Sequence, residues 1–470
     1  MKHINIFYLH NGFQFTDDVI NQQFEKGWLG RKPLSLEELT QVNRSESPFF
    51  YDDSLFTFDF VYNGDFSKLS NDAVTLVPFD YQSVALSRET QNISNTTVKS
   101  IPSDFGLALL SAVDEICSLN LPNLVLLFYS STEPFYFTSN IYFYDIAKKY
   151  PHAKIVLSGS GQSTDMYDRY NTYLAKLPNV TIIPKLWYLD RVHYMTFISP
   201  HAIDNVQHLK LNETTPPDDV SSLYKSAQNR FLYTVRNCRS HRVLFSSMWE
   251  NTDKQLSDTT YARFFSMHRS MINSMDTTNS NRDSFKYYVE LVTTTVSELQ
   301  QEEGMTDALF AQCMKTIYSR PHLIDMTSFD DKGIPGAWLY ADCDLVIAPG
   351  GEALGYGYVD EKQYIPMLFK KPFITFGCKG LYEELQRIDF KTFDECWPVS
   401  FNTEPTLIKR VNGCINVLEY IRSLDNHHWS ELMEKAKPSV DFNYTHAKEG
   451  TFRIPSNNQF FQGILEHASN

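Results

Sequence analysis

No stretch of this 470-residue sequence approaches the ~18 consecutive apolar residues that cross a bilayer as a helix. A membrane partner is therefore not expected. Residues Met1 to Phe13 carry one Lys and a short apolar run broken by Asn5, His10 and Asn11, too short and too polar for a signal peptide. The seven cysteines are odd in number and nowhere spaced C-x-x-C, which argues against a disulfide framework or a zinc site and for a reducing, cytoplasmic setting. The N-x-S/T triplets at Asn92, Asn95, Asn212 and Asn443 then say nothing about glycosylation. Positive charge is short as well: 42 Lys and Arg face 56 Asp and Glu, a net charge of −14. That disfavours attraction to nucleic acid over the whole surface but leaves room for a local basic groove. Internal repeats and low-complexity tracts are missing too.

What is present is an ordinary globular composition, 42% hydrophobic and 21% charged, in a chain long enough for two domains. Aromatic residues make up 14%, much of it in strand-like runs such as Phe135-Tyr136-Phe137, where core packing is the expected use. Ile4 to Leu9 reads as an opening strand and Ala73 to Pro78 as a second run ending on a proline turn signal. A helical segment, Gly106 to Leu119, precedes the apolar run Leu124 to Tyr129, which fits a strand buried on both faces. A helix over Asn140 to Lys149, a strand over Ala153 to Leu157 and the run Val180 to Pro184 follow. A polar stretch over residues 210–228, centred on Pro216-Pro217-Asp218-Asp219, reads as a linker. It separates domain 1–209 from domain 229–437, and the segment 438–470 is expected to cross back onto the first domain. In the second domain the expected order is strand Phe231 to Val235, a helix from His241, a polar-helical insertion through Gln312 and strand Asp344 to Ala348. The Glu-Lys helix, strand Pro372 to Phe376 and helices over Tyr382 to Ile388, Leu407 to Ser423 and His428 to Lys435 follow. Alternating strands and helices imply doubly wound, Rossmann-like α/β domains, whose ligands bind beyond the carboxyl ends of the strands.

Two blocks carry chemistry at such ends. Arg236, Arg239 and Arg242 cluster where a strand gives way to a helix, with Ser240 placed as an N-cap. Three guanidiniums there repel one another and the helix dipole unless an anion sits among them; the alternative is a solvated loop with a salt bridge or two. His241 either donates to phosphate or orients the turn. Glu361 and Lys362 open a helix after a strand, where the carboxylate can accept two ribose hydroxyls and the ammonium and free N–H groups can face phosphate. Pro349-Gly350-Gly351-Glu352 offers backbone donors and another carboxylate at the same rim. Asp342-Cys343-Asp344 has the D-x-D form of a metal motif but precedes its strand, so it reads as a turn at the far end of the sheet, and no metal is expected.

Glu361-Lys362, then Pro372-Phe373-Ile374, Leu381 to Leu385 and Phe390 to Asp394, resembles the "TEK…PFI…YL…FKTFD" block of a phage-borne glycosyltransferase family. It is similar, more distantly, to the block of the α1,3-fucosyltransferases. Val359-Asp360 stands where that pattern has an aliphatic residue and Thr. Phe231 to Arg242 resembles the "FL…NRxxRxHR" segment of the same phage family, with Val235 in place of Asn. The resemblance implies a GT-B glycosyltransferase, two Rossmann-like domains facing a cleft, that uses a nucleotide-diphosphate sugar with inversion and no metal. It implies a donor site of Arg236, Arg239, His241, Arg242, Gly350, Gly351, Glu352, Glu361 and Lys362, and a location in the host cytoplasm. Inversion needs a base in the first domain. Glu133, in Ser130 to Pro134, resembles the region supplying that base in the fucosyltransferases; an ordinary loop acid is the alternative reading, and His10 is the fallback base. The leading acceptor is a hydroxymethylated base, or its first sugar, in double-stranded phage DNA. The rivals are a glycan or small hydroxylated acceptor, which the acidic composition suits better, and a non-catalytic nucleotide-sugar binding protein.

Overall fold

The computed structural model describes residues 2–8, 50, 53–62, 72–80, 89–93, 97–101, 111, 113–119, 121, 123–129, 146–159, 177–193, 197, 229–235, 238–250, 259–263, 279–318, 340, 343–350 and 359–469. The chain divides into two compact units, one of residues 1–161, 166–194 and 453–470, the other of residues 162–165 and 195–452. Each is an α/β unit built on a parallel sheet.

In the first unit, strands β1 (Lys2–Tyr8), β2 (Phe56–Tyr62) and β3 (Val74–Asp80) precede a separate antiparallel pair, β4 (Glu89–Ile93) and β5 (Thr97–Ile101). Strands β6 (Leu124–Tyr129), β7 (Lys154–Ser158) and β8 (Val180–Ile182) and helix α1 (Trp187–His193) follow. The sheet order is β2-β1-β3-β6-β7-β8, so chain direction across the sheet reverses between β1 and β3. Strand β6 is buried along its whole length, as its unbroken apolar run predicts. Strand β2 has no counterpart in the sequence reading because Asp59 interrupts its apolar pattern. An edge position tolerates that charge, and the carboxylate meets His3 Nε2 at 2.7 Å. Strand β3 runs through Pro78 rather than ending there. The Thr75 N–H points toward the β6 side, donating to Asn123 O. By alternation the donor missing at Pro78 faces β1, whose pairing with β3 stops at Leu76.

The C-terminal helix, Arg453–Ser469, belongs to this unit and covers one face of its sheet. Phe460, Phe461 and Ile464 join Ile4, Ile6, Phe58, Leu76, Leu127 and Trp187 in one core. A Cβ on Gly463 would come within 3.2 Å of the Ile183 side chain, so the missing side chain lets the helix sit this close. A buried charge cluster adds a polar tie. Lys185 donates to Asp190 Oδ2, both side chains fully buried, and Arg453 Nε lies 3.4 Å from Asp190 Oδ1.

The second unit runs β9 (Asn229–Val235), α2 (Ser240–Glu250), β10 (Thr259–Arg263), α3 (Asn279–Gln301), α4 (Asp307–Tyr318) and β11 (Cys343–Pro349). It continues with α5 (Glu361–Leu368), β12 (Phe373–Phe376), α6 (Leu381–Arg387), α7 (Leu407–Ser423) and α8 (Asn426–Glu449). Its parallel sheet has the order β10-β9-β11-β12, reversing between β9 and β11. Strand β10 lies inside the stretch expected to be a polar-helical insertion; five residues pairing on one side leave little periodicity to read. Helix α8 continues past Lys435 and through Pro438. Buried Trp429, Ala436, Val440 and Ala447 hold it on the unit, and Asn443 bonds both the N–H and the C=O of Lys391 at 2.8 and 2.9 Å. These tertiary contacts outweigh the lost helix bond at the proline. All seven cysteines are free thiols, buried except Cys396, which is half-buried. No helix among the described residues is long and apolar enough to cross a membrane.

Candidate functional site

The reversal between β9 and β11 puts the carboxyl ends of these two strands side by side, the place where an open parallel sheet leaves a crevice. After β9 the chain passes Cys238 and half-buried Arg239 into α2; after β11 it reaches Gly350. Two side chains from the first turn of α2 converge on that glycine. His241 Nε2 and Arg242 Nη2 lie 2.7 and 3.0 Å from Gly350 O. Gly350 thus acts here through its carbonyl, not only as the backbone donor that its Gly-rich turn suggests, and its own N–H donates to Phe376 O at 2.8 Å.

These contacts define what His241 can do. With a carbonyl as its partner, Nε2 must carry the proton, so Nδ1 is the bare ring nitrogen. Nδ1 is buried without a hydrogen-bond partner. Burial, then the positive charge of Arg242, pushes this imidazole well below the usual histidine range. His241 is therefore neutral, and in this tautomer it orients the turn, its N–H spent on Gly350 and not on a ligand phosphate. Ser240 also departs from the expected role. Its hydroxyl donates to Glu298 Oε2 at 2.6 Å, and the residue at the cap position is Arg239, whose carbonyl accepts from the N–H groups of Arg242 and Val243. No acidic residue lies in the first turn of α2, so its dipole and its cations both favour an anion.

Helix α5 brings the second block to the same rim. Asp360 is its N-cap: one carboxylate oxygen accepts the Lys362 N–H at 2.8 Å, while Gln363 Oε1 accepts the Asp360 N–H at 3.0 Å, a capping box. The Gln363 amide also donates to Ala348 O and Thr375 Oγ1, at 3.2 and 3.1 Å, which fastens the helix start to the ends of β11 and β12. Lys362 Nζ then reaches Asp360 Oδ2 at 2.9 Å and Glu361 Oε1 at 2.7 Å. Burial alone would lower this ammonium, but the two carboxylates outweigh it and hold Lys362 above its ordinary value. Arg242 and Lys362 each repel the other's charge, so the two blocks are electrostatic neighbours. Burial, aided by Glu361, pushes Asp360 up to about 6 against the pull of Lys362.

Arg239, His241, Arg242, Gly350, Glu361 and Lys362 are thus gathered at one strand crossing, with Arg242 only 3% exposed. Arg236, Gly351, Glu352, Glu133 and His10 lie outside the described residues. Asp344 stands at the opposite end of β11, where its carboxylate accepts from the Trp429 indole at 3.0 Å. Asp360 is a site residue beyond those expected from the sequence. Its signal was there: an acid three positions before Gln363 at the start of a helix is a capping-box pattern.

The class that the fold defines is an α/β protein with parallel sheets, and the site is a cationic rim at a strand reversal. No protein-family model matches the chain, and no curated protein matches it either.

Proposed function

We propose that this protein is a glycosyltransferase of the GT-B architecture that moves a sugar from a nucleotide diphosphate to a hydroxyl acceptor, with inversion and without a metal. The observation that carries the reading is the meeting of Arg239, Arg242 and Lys362 with Glu361 at the strand reversal of the second unit. Cations on two helix N-termini suit a diphosphate, and a carboxylate beside them suits the ribose. On leaving, the diphosphate gains charge that these groups stabilise. In the first unit Glu133 is the general base, with His10 as the alternative; both follow β-strands in the chain. In the state described, Glu361 and Lys362 pair with each other, so donor binding exchanges one ion pair for two ligand contacts.

The acceptor in this reading is a hydroxymethylated base, or its first sugar, in phage DNA. The net charge of −14 favours the second reading, transfer to a glycan or small hydroxylated acceptor. A panel of nucleotide sugars, offered with hydroxymethylated DNA and with free sugars, tests both. Turnover on sugars but never on DNA selects the second acceptor. Binding without turnover on any acceptor reduces the protein to a nucleotide-sugar binder. Substituting Glu133→Gln should remove ~100- to 10,000-fold of the transfer rate and leave donor affinity unchanged; near-normal transfer moves the base to His10.

A further inference from the structure

We propose that Asp360 is a positioning residue that holds Lys362 and makes occupation of Lys362 by a diphosphate depend on uptake of a proton. The inference rests on the donor-site reading above and adds its regulation. Lys362 is held between two carboxylates, and they differ in their freedom. Glu361 is 26% exposed and can swing away toward a ribose. Asp360 is 2% exposed, and its second oxygen caps the helix by accepting the Lys362 N–H. It cannot leave without uncapping α5. A phosphate arriving at Lys362 Nζ therefore meets an anion 2.9 Å behind its counter-ion. Two anions on one ammonium in a desolvated pocket repel strongly unless one is neutralised.

Protonation of Asp360 Oδ2 resolves the conflict. The neutral acid keeps Oδ1 as the cap acceptor and turns Oδ2 into an O–H donor for the incoming phosphate. It then presents what a capping threonine would, an acceptor for the helix N–H and a hydroxyl donor. The surrounding groups leave Asp360 as the candidate for the titration. On its own helix it faces Lys362 and Glu361. From α2, Arg242 and His241 face Lys362 and Arg239 faces His241. Buried Tyr340 faces Glu361, and burial raises its phenol far above neutral pH. The arginines keep their charge, and burial together with Arg242 holds His241 in its neutral form, well below the usual histidine range. Asp360 in the free protein sits at about 6, pushed up by burial and Glu361. An anion on Lys362 raises it further. Affinity is therefore greatest below about pH 6 and falls as pH rises toward the bound-state value, by at most about tenfold per pH unit for one proton.

The test is calorimetry of UDP-glucose and GDP-mannose from pH 5 to 8, in two buffers of different ionisation enthalpy. Nucleotide sugars are suitable probes because, unlike phosphate monoesters with a pKa of ~6, they carry no phosphate that titrates in this range. Wild-type protein should take up close to one proton per ligand above pH 6 and lose affinity with rising pH. Asp360→Asn and Asp360→Thr keep a capping side chain and should bind with a flat pH profile and no proton uptake. Glu361→Gln should bind more weakly yet keep the uptake. Wild-type binding without proton uptake, or uptake that survives in both Asp360 variants, overturns the proposal while leaving the donor site standing. No binding of any nucleotide sugar at any pH overturns the donor reading and this proposal with it. The unliganded protein gives a second readout: the melting temperature of Asp360→Asn should gain on wild type as pH rises from 4 to 7, and a constant difference counts against titration at Asp360.

Discussion

Replacing Lys362 with Met keeps an aliphatic stem of similar length and deletes the ammonium between Asp360 and Glu361. The contact at 2.9 Å to a carboxylate that is 2% exposed is the costly loss. A charge-assisted bond to a buried acceptor is worth ~1.5 to 3 kcal/mol. The 2.7 Å contact to Glu361, 26% exposed on both sides, adds at most ~1 kcal/mol after solvent screening. The sum, roughly 1.5 to 4 kcal/mol, corresponds to a melting shift of about 3 to 16 °C for a unit of this size. The loss depends on pH in a defined direction. Asp360 already lies at about 6 through burial, and removing Lys362 takes away what holds it down. The folded state then keeps a proton that the unfolded chain releases above pH ~4, so stability falls as pH rises through the folded value. Thermal unfolding should place the variant close to wild type at pH 5 and show most of the loss at pH 7.5. Nucleotide-sugar affinity should fall by roughly ten- to a hundredfold at neutral pH. Equal destabilisation at both pH values would refute the electrostatic account, and unchanged affinity would remove Lys362 from the donor site.

Three further outcomes are expected. Glu361→Gln keeps the shape but replaces one acceptor oxygen with a donor, so affinity for a nucleotide sugar should fall while affinity for inorganic pyrophosphate does not; a parallel fall in both would place Glu361 away from the ribose. Asp190→Ala leaves fully buried Lys185 and largely buried Arg453 without their shared carboxylate, and denaturant titration should show a loss of ~3 to 5 kcal/mol; a change under 1 kcal/mol would mean other groups carry the charge. Gly413→Ala drives a methyl into the Phe401 side chain, where α7 meets the short helix Ser400–Thr403, and should cost ~1 to 3 kcal/mol, checked by unfolding of the variant beside Ala→Gly controls on exposed helix sites.

Much of the fold is legible in local pattern. The run Leu124 to Tyr129 is apolar throughout and forms a strand buried throughout. Helix α7 spans Leu407–Ser423 as its periodicity indicates, with Thr406 as its N-cap accepting the Lys409 N–H. Helix α5 starts where an acid precedes Gln363 by three residues. Strands β2 and β10 were missed because edge strands need only half their residues apolar, and a charge such as Asp59 hides the alternation. Pro78 and Pro438 misled for a related reason: a proline forbids one donor, and whether that donor is needed depends on neighbours far away in the chain.

The sequence by itself determined the residue types at each strand end: the Arg-His block after β9, the Gly turn after β11 and the Asp-Glu-Lys start of α5. Only the tertiary structure decided that they meet. Gly350 lies 109 residues from His241 and becomes its partner because the strand order reverses between β9 and β11. The protonation states follow from that packing as well. Desolvation and the field of nearby charges depend on what surrounds a group in space, so the same chain written out cannot tell a neutral His241 from a charged one, or an ordinary Asp360 from one at about 6. The C-terminal helix makes the same point for stability. The sequence pattern does not single this helix out, and its place on the sheet that begins with Lys2, with Phe461 against Phe58 and Arg453 beside Asp190, comes from long-range burial that no local pattern encodes.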